Sequence, residues 1–272
     1  MRIAEVVEAN LKLPFIGGAA RIYLAMWIWE GLNVEQRILS SANDYREVDE
    51  YILEQADGQI FLVCGKSFEK MTLKRHLDQL ITEHGLKITR FSGFEPNPVY
   101  ESVVAGVEKF RTASPKLILA VGGGSALDVA KCIKLYRHKL PHEENVVEGR
   151  ADVKILAVPT TAGTGSEATK YAVIYRDGEK QSVTDENIIP EAVLFDPSAL
   201  SQLPMYHRKA SLLDALCHSI ESFWSVNATE ESQAISENAM TEILASWESY
   251  LENQQEGNAR MLKAANLAGK AI

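Results

Sequence analysis

Between residues 59 and 159 the chain alternates short β-rich apolar runs with runs of helical period. That alternation restricts the fold more than any other feature of the sequence. Residues 59–64 are an apolar run closed by Gly65, and residues 68–84 follow with helical spacing and end at Gly85. Residues 86–91 read as a second strand. Residues 99–110 are amphipathic, with Val103, Val104, Val107 and Phe110 on one face. Residues 116–121 are a buried-strand run broken by Gly122, Gly123 and Gly124; a helix is expected over 126–136 and another strand over 155–158. Strands alternating with helices predict βαβ units around a largely parallel sheet, an α/β fold. After Pro204 the pattern changes, and residues 212–224, 230–251 and 259–272 are helical by period with no strand between them. The expected division is therefore an α/β domain over 1–206, with the first 40 or so residues unassigned, and the start of a helical domain over 207–272.

Composition narrows the partners. Acidic residues outnumber basic ones 37 to 28, a net charge of −9, which argues against nucleic acid or an anionic membrane surface as the main partner. Cys64, Cys132 and Cys217 lie far apart and form no metal or disulfide spacing, as in a reduced cytoplasmic protein. The most apolar early stretch, 13–32, contains Arg21, Glu30 and several glycines. It is too interrupted for a membrane span and lacks the pattern of a signal peptide.

Three segments carry chemistry. Gly122, Gly123 and Gly124 separate a strand from a helix start, where free N–H groups and the helix dipole favour an anion and glycine lets a phosphate approach. Ser125 can cap that helix or donate to a phosphate, and Asp128 complements the dipole from the first turn. A tight βα turn accounts for the same residues equally well, and the spacing is neither GxGxxG nor a P-loop. The second segment, 158–167, again follows a strand. Its Thr160, Thr161, Thr164 and Ser166 offer hydroxyls to a ribose or diphosphate, or to their own backbone. The third is Asp214 and His218, four apart on one helix face, with Glu221 a turn further on. They can share a divalent metal or simply one hydrogen bond. Two ligands fall short of the three or more that a catalytic metal site needs.

Taken together, Glu95-Pro96-Asn97-Pro98, the run from Gly122 through Asp128 to Lys131, the run from Pro159 to Glu167, Asp196-Pro197 and Asp214-x-x-x-His218 resemble the iron-containing (group III) alcohol dehydrogenase family. The resemblance covers residues 55–272. Residues 220–229 look like the phosphonoacetaldehyde reductase branch. The resemblance implies a Rossmann-like dinucleotide-binding domain followed by an all-helical domain, with NAD(P)H and a small aldehyde or alcohol in the cleft between them. It implies that Gly122, Gly123, Gly124 and Ser125 hold the pyrophosphate. Thr160, Thr161 and Thr164 would line the nucleotide, with Asn97, Asp128, Ser166 and Lys180 as further contacts. Asp214 and His218 would be the first two of four ligands to Fe²⁺ or Zn²⁺, acting as a Lewis acid on the aldehyde oxygen.

Two departures qualify the resemblance. NAD-preferring members often carry Asp after the first strand, whereas Gly65, Lys66 and Ser67 stand here and favour a 2′-phosphate, hence NADP(H). The chain ends near Ala268 to Ile272, about where the family approaches its third ligand histidine. A truncated form that binds nucleotide, turns over weakly or not at all and uncovers an apolar face is therefore expected. No general acid can be named. A lyase of the dehydroquinate synthase type and a non-catalytic nucleotide-binding remnant are the alternatives, and a homo-oligomer is compatible with each.

Overall fold

The central strands of the main sheet are buried on both faces, and that sheet is correspondingly parallel. The structure, a computed structural model, describes residues 36–42, 44–144, 146 and 152–272. The apolar stretch 13–32 lies outside them. Six strands, β1 (Arg37–Ser40), β2 (Gln59–Cys64), β3 (Lys87–Phe91), β4 (Leu117–Gly122), β5 (Lys154–Pro159) and β8 (Ala192–Phe195), pair in the order β1-β8-β5-β4-β2-β3. Every pairing in this sheet is parallel.

The strand sequences show why two layers of helices are needed. Alternate residues serve opposite cores: Phe61, Val63, Ile118, Ala120, Ile155 and Ala157 face one, and Ile60, Leu62, Leu117, Leu119, Leu156 and Val158 the other. Helices α1 (Arg46–Gln55) and α2 (Thr72–His84) cover the second face with Val48, Ile52, Leu73, Leu77 and Leu80. Helices α3 (Tyr100–Ala113) and α4 (Gly124–Tyr136) cover the first with Val103, Val107, Phe110, Val129 and Ile133.

Several expectations need correction. The helix expected over 68–84 is two elements: a 3₁₀ turn, Lys66–Lys70, then α2, parted at Met71, whose extended backbone (φ −81°, ψ 148°) cannot continue a helix. α4 begins at Gly124, two residues earlier than expected, so one of the three glycines is already helical. Three further elements carry little period of their own: β1 within the unassigned first 40 residues, α1, and the four-residue β8. An antiparallel hairpin of β6 (Tyr171–Arg176) and β7 (Glu179–Thr184) was also unforeseen, although its Asp177-Gly178 turn is a hairpin signal.

Helices α5 (Met205–Trp224), α6 (Glu230–Leu251) and α7 (Gln255–Lys270) follow; α5 and α7 start earlier than the helical periods expected over 212–224 and 259–272. Residues 37–272 nevertheless pack as one unit, and one apolar cluster runs from Val193 and Ala157 through Ile243, Met261 and Leu262. Arg208 on α5 is the polar pin of this assembly. The residue is 2% exposed, and its guanidinium donates to the Tyr250 carbonyl at 2.7 Å, Asn258 Oδ1 at 2.8 Å, the Leu200 carbonyl at 2.5 Å and Asn253 Oδ1. It thereby joins α5, the end of α6, the start of α7 and the turn after β8. Apolar side chains stand uncovered on the helical segment, chiefly Trp224 at 74% and Val226 at 99% exposure. No helix among the described residues is long and apolar enough to cross a membrane.

Replacing Arg208 with Met keeps the aliphatic stem but leaves three buried acceptors, the Tyr250 and Leu200 carbonyls and Asn258 Oδ1, without their donor. The expected loss is about 3 kcal/mol. For a chain of this size a thermal melt should fall by roughly 6–12 °C. An unchanged melt would show that water or the remaining side chains satisfy those carbonyls.

Candidate functional site

The strand order fixes where a ligand can sit. From β2 the chain crosses to β3 at the sheet edge, and from β4 it runs the opposite way to β5. The crevice opens between β2 and β4, above their carboxyl ends. Register brings three loops together there, because Cys64 pairs with Val121 and Gly122 with Pro159. Gly65, Lys66 and Ser67 leave β2; Gly123, Gly124 and Ser125 leave β4; Thr160, Thr161 and Thr164 leave β5. The Thr160 N–H donates to the Gly122 carbonyl at 3.0 Å, tying the second loop to the third.

Of the three glycines at the end of β4, Gly122 is required by space, and Gly123 and Gly124 stand close against the next loop. A Cβ on Gly122 would lie 2.5 Å from Cβ of Ala126, so that glycine lets the helix approach its strand. A Cβ on Gly123 would meet the Thr161 side chain at 3.2 Å, and one on Gly124 would meet Thr164 at 3.1 Å. These two positions form a cradle that side chains would fill, capped by no side chain of its own helix. Its bare backbone and the hydroxyls facing it fit a pyrophosphate. Gly65 differs, since a Cβ there meets nothing within 4 Å and glycine is not demanded by packing.

Other assigned residues do different work. Ser125 does not cap α4; its Oγ accepts the Asn97 N–H at 3.3 Å, and Asn97 sits on the adjoining loop in a left-handed conformation (φ 59°). Asp128 lies a turn into the helix instead of at its mouth. Its carboxylate accepts the Ser166 hydroxyl at 2.7 Å and the Val173 N–H at 3.1 Å, and burial raises its pKa. The expectation that Asp128 answers the helix dipole is thus corrected, and Ser166, buried and bonded inward, is an internal tie. Lys180 is exposed on β7, paired with Tyr175 across the hairpin. Beside the cradle, Ser67, Lys70, Thr160, Ser198 and Gln202 line a recess of about 140 Å³. Lys70, Ser198 and Gln202 were not singled out in the sequence, although Asp196-Pro197, which starts the turn bearing Ser198, was.

On α5, Asp214 Oδ1 and His218 Nε2 are 3.8 Å apart, and His218 Nδ1 is buried with no hydrogen-bond partner. A carboxylate and an imidazole so placed suit a divalent cation as two of its ligands. No group of three or more metal-binding side chains forms among the described residues, so these residues alone do not complete a catalytic centre. A second recess adjoins His218, lined also by Glu221, Ser222, Ser225 and Asn227.

Comparison with known proteins gives this geometry a family. The model of iron-containing alcohol dehydrogenases matches residues 35–197, and the model of that family's C-terminal region matches 209–272. The chain belongs to the iron-containing alcohol dehydrogenase family. It is 28% identical to alcohol dehydrogenase 4 of Saccharomyces cerevisiae, over 83% of this chain and 61% of that one. It is 32% identical to the NAD-dependent methanol dehydrogenase of Bacillus methanolicus, over 81% of this chain and 60% of that one. A solved iron-containing alcohol dehydrogenase of Thermotoga maritima superimposes with a TM-score of 0.75 at 26% identity, covering 87% of this chain and 67% of that one. The chain spans about three-fifths of the length of these curated relatives.

A two-donor metal pair makes a measurable claim. Titrated against a chromogenic chelator, Zn²⁺ should bind the chain more weakly than about 1 μM, and His218→Ala should lower that affinity at least tenfold or so. Nanomolar retention that survives His218→Ala would place the metal elsewhere.

Proposed function

We propose that this chain binds a nicotinamide dinucleotide across the β2/β4 crevice and serves a metal-dependent alcohol dehydrogenase or aldehyde reductase. The observation that carries the reading is the convergence of three loops on a glycine cradle at the sheet's switch point, in a chain whose Asp-x-x-x-His helix follows in the family's order. Backbone N–H groups of Gly123, Gly124 and Ser125 receive the pyrophosphate. Thr160, Thr161 and Thr164 orient the sugar and nicotinamide end, and Lys180 approaches from the hairpin. Asp214 and His218 supply two metal ligands. A metal held by Asp214 and His218 would supply Lewis-acid polarisation of the substrate oxygen, and the nicotinamide would supply the hydride chemistry. Iron and zinc both suit this donor pair.

The turn Gly65-Lys66-Ser67 supports NADP(H) over NAD(H). A cation and a hydroxyl stand where a carboxylate would repel the 2′-phosphate, and Lys70 adds a second cation to the neighbouring recess. For the substrate, the 220–229 run supports a phosphonoacetaldehyde reductase, and among the described residues the recess it borders beside His218 is lined by Glu221, Ser222, Ser225 and Asn227.

Gly65→Asp tests the cofactor reading cleanly, because that position has room for a side chain and an unstrained backbone (φ −83°). The ratio of NADPH to NADH affinity, read by fluorescence titration, should fall about tenfold or more. Gly124→Val, which crowds Thr164, should weaken both nucleotides together. A chain that binds neither nucleotide before mutation would refute the proposal.

A further inference from the structure

Helix α4 carries two ionisable side chains, three residues apart, for which the chemistry above has no use. Lys131 is fully buried. Its ammonium donates to Ser166 Oγ at 3.1 Å, to Thr169 Oγ1 at 3.1 Å and to the Tyr171 carbonyl at 2.8 Å. Asp128 grips the same segment through the Ser166 hydroxyl and the Val173 N–H. One helix thus holds the chain at residues 166, 169, 171 and 173, where the threonine-rich loop ends. The grip reaches the cradle through Ser166, whose N–H donates to Thr164 Oγ1 at 3.2 Å; Thr164 in turn lies against Gly124. The path therefore begins and ends on α4, from Lys131 to the glycine that opens its first turn.

We propose that Lys131 is a positioning residue of the nucleotide site. With Asp128 as its partner, its ammonium holds the 160–165 loop at the distance from the α4 N-terminus that a dinucleotide pyrophosphate needs. The proposal rests on the nicotinamide-nucleotide reading above. It requires the proton, because an ammonium has three donors and here meets three acceptors. The neutral amine would keep two donors and turn a lone pair toward oxygens whose hydrogens are already committed. The Ser166 hydrogen goes to Asp128, and that of Thr169 to the Tyr171 carbonyl at 3.3 Å. One bond is lost, a repulsion replaces it, and the loop loosens.

The ionisable groups acting on Lys131 are Asp128 and Cys132 on its own helix and Glu167 on the short turn Ser166–Ala168. All three favour the charged amine, but burial outweighs them and brings Lys131 down to about 8. Nucleotide affinity should therefore fall as pH rises through that value. Stability moves the other way. The unfolded lysine keeps its ordinary pKa of 10.5, so between about 8 and 10.5 the unfolded chain binds more protons, and this residue's contribution to stability rises with pH. A lysine that served packing alone would change stability and leave binding untouched.

The experiment measures NADPH and NADH dissociation constants by fluorescence from about pH 7 to pH 9.5, with thermal melts, for the full chain, Lys131→Met and Lys131→Arg. The unmodified chain should lose about tenfold in affinity between pH 7 and pH 9. Lys131→Met should bind about tenfold more weakly at pH 7 and show no such pH dependence, and Lys131→Arg should restore part of the affinity with a flat profile. Should Lys131→Met fail to fold, Thr169→Val removes one acceptor and should move the midpoint of the profile to lower pH. A folded Lys131→Met with unaltered affinity or an unaltered pH slope overturns the proposal, as does a Thr169→Val midpoint that stays in place. A folded chain that binds neither nucleotide at any pH overturns the nucleotide reading together with it. Normal binding with indifferent variants overturns only the role of Lys131.

Discussion

Parallel pairing obliges every strand-to-helix turn of this sheet to leave from the same edge. With the order β1-β8-β5-β4-β2-β3, that rule brings the turns after β2, β4 and β5 into adjacent positions, although they lie up to about a hundred residues apart in sequence. None of the three could hold a dinucleotide alone. A glycine cradle without the threonines would lack sugar contacts, and the threonines without the cradle would face a helix end blocked by side chains. The site is a property of the sheet's direction before it is a property of any motif.

The helical segment depends on a different kind of contact. Arg208 links three helices to the turn after β8, a task that apolar packing does not do with comparable directionality. Asn258 adds a donor to the Pro197 carbonyl at 3.2 Å, so the turn beside the recess lined by Thr160 and Ser198 is held from the helical side. Burial and hydrogen bonding thus run without a break from the loops that would receive the cofactor to the helix that carries Asp214 and His218.

Much of this could be read from the sequence, and the limits have physical causes. Strands β2, β4 and β5 were legible because burial on both faces demands continuous apolar runs, and Gly122 because the helix approaches its strand too closely for a side chain. β1 and β8 are four residues each, too short to show any period. The roles of Ser125, Asp128 and Ser166 could not be read locally. A serine at a helix start looks like a cap, yet its partner here is the Asn97 N–H, 28 residues away. An aspartate near a helix mouth looks like a dipole complement, yet its two oxygens are taken by residues 38 and 45 positions on. Side-chain hydrogen bonds between segments distant in sequence leave no periodic trace.

The seat of α7 is formed by removal of matter. A Cβ on Gly269 would lie 2.4 Å from the Gly165 carbonyl oxygen, and one on Gly165 would lie 2.6 Å from the Ala265 carbonyl oxygen; Gly165 also has φ 58°, which side chains disfavour. The end of the threonine-rich loop and the last turn of the helix therefore meet backbone to backbone. Neither position can accept even a methyl group unless the other segment retreats, and the two glycines act as one notch shared by two stretches of chain. The depth of this notch sets how close the helical segment can stand to the threonine-rich loop.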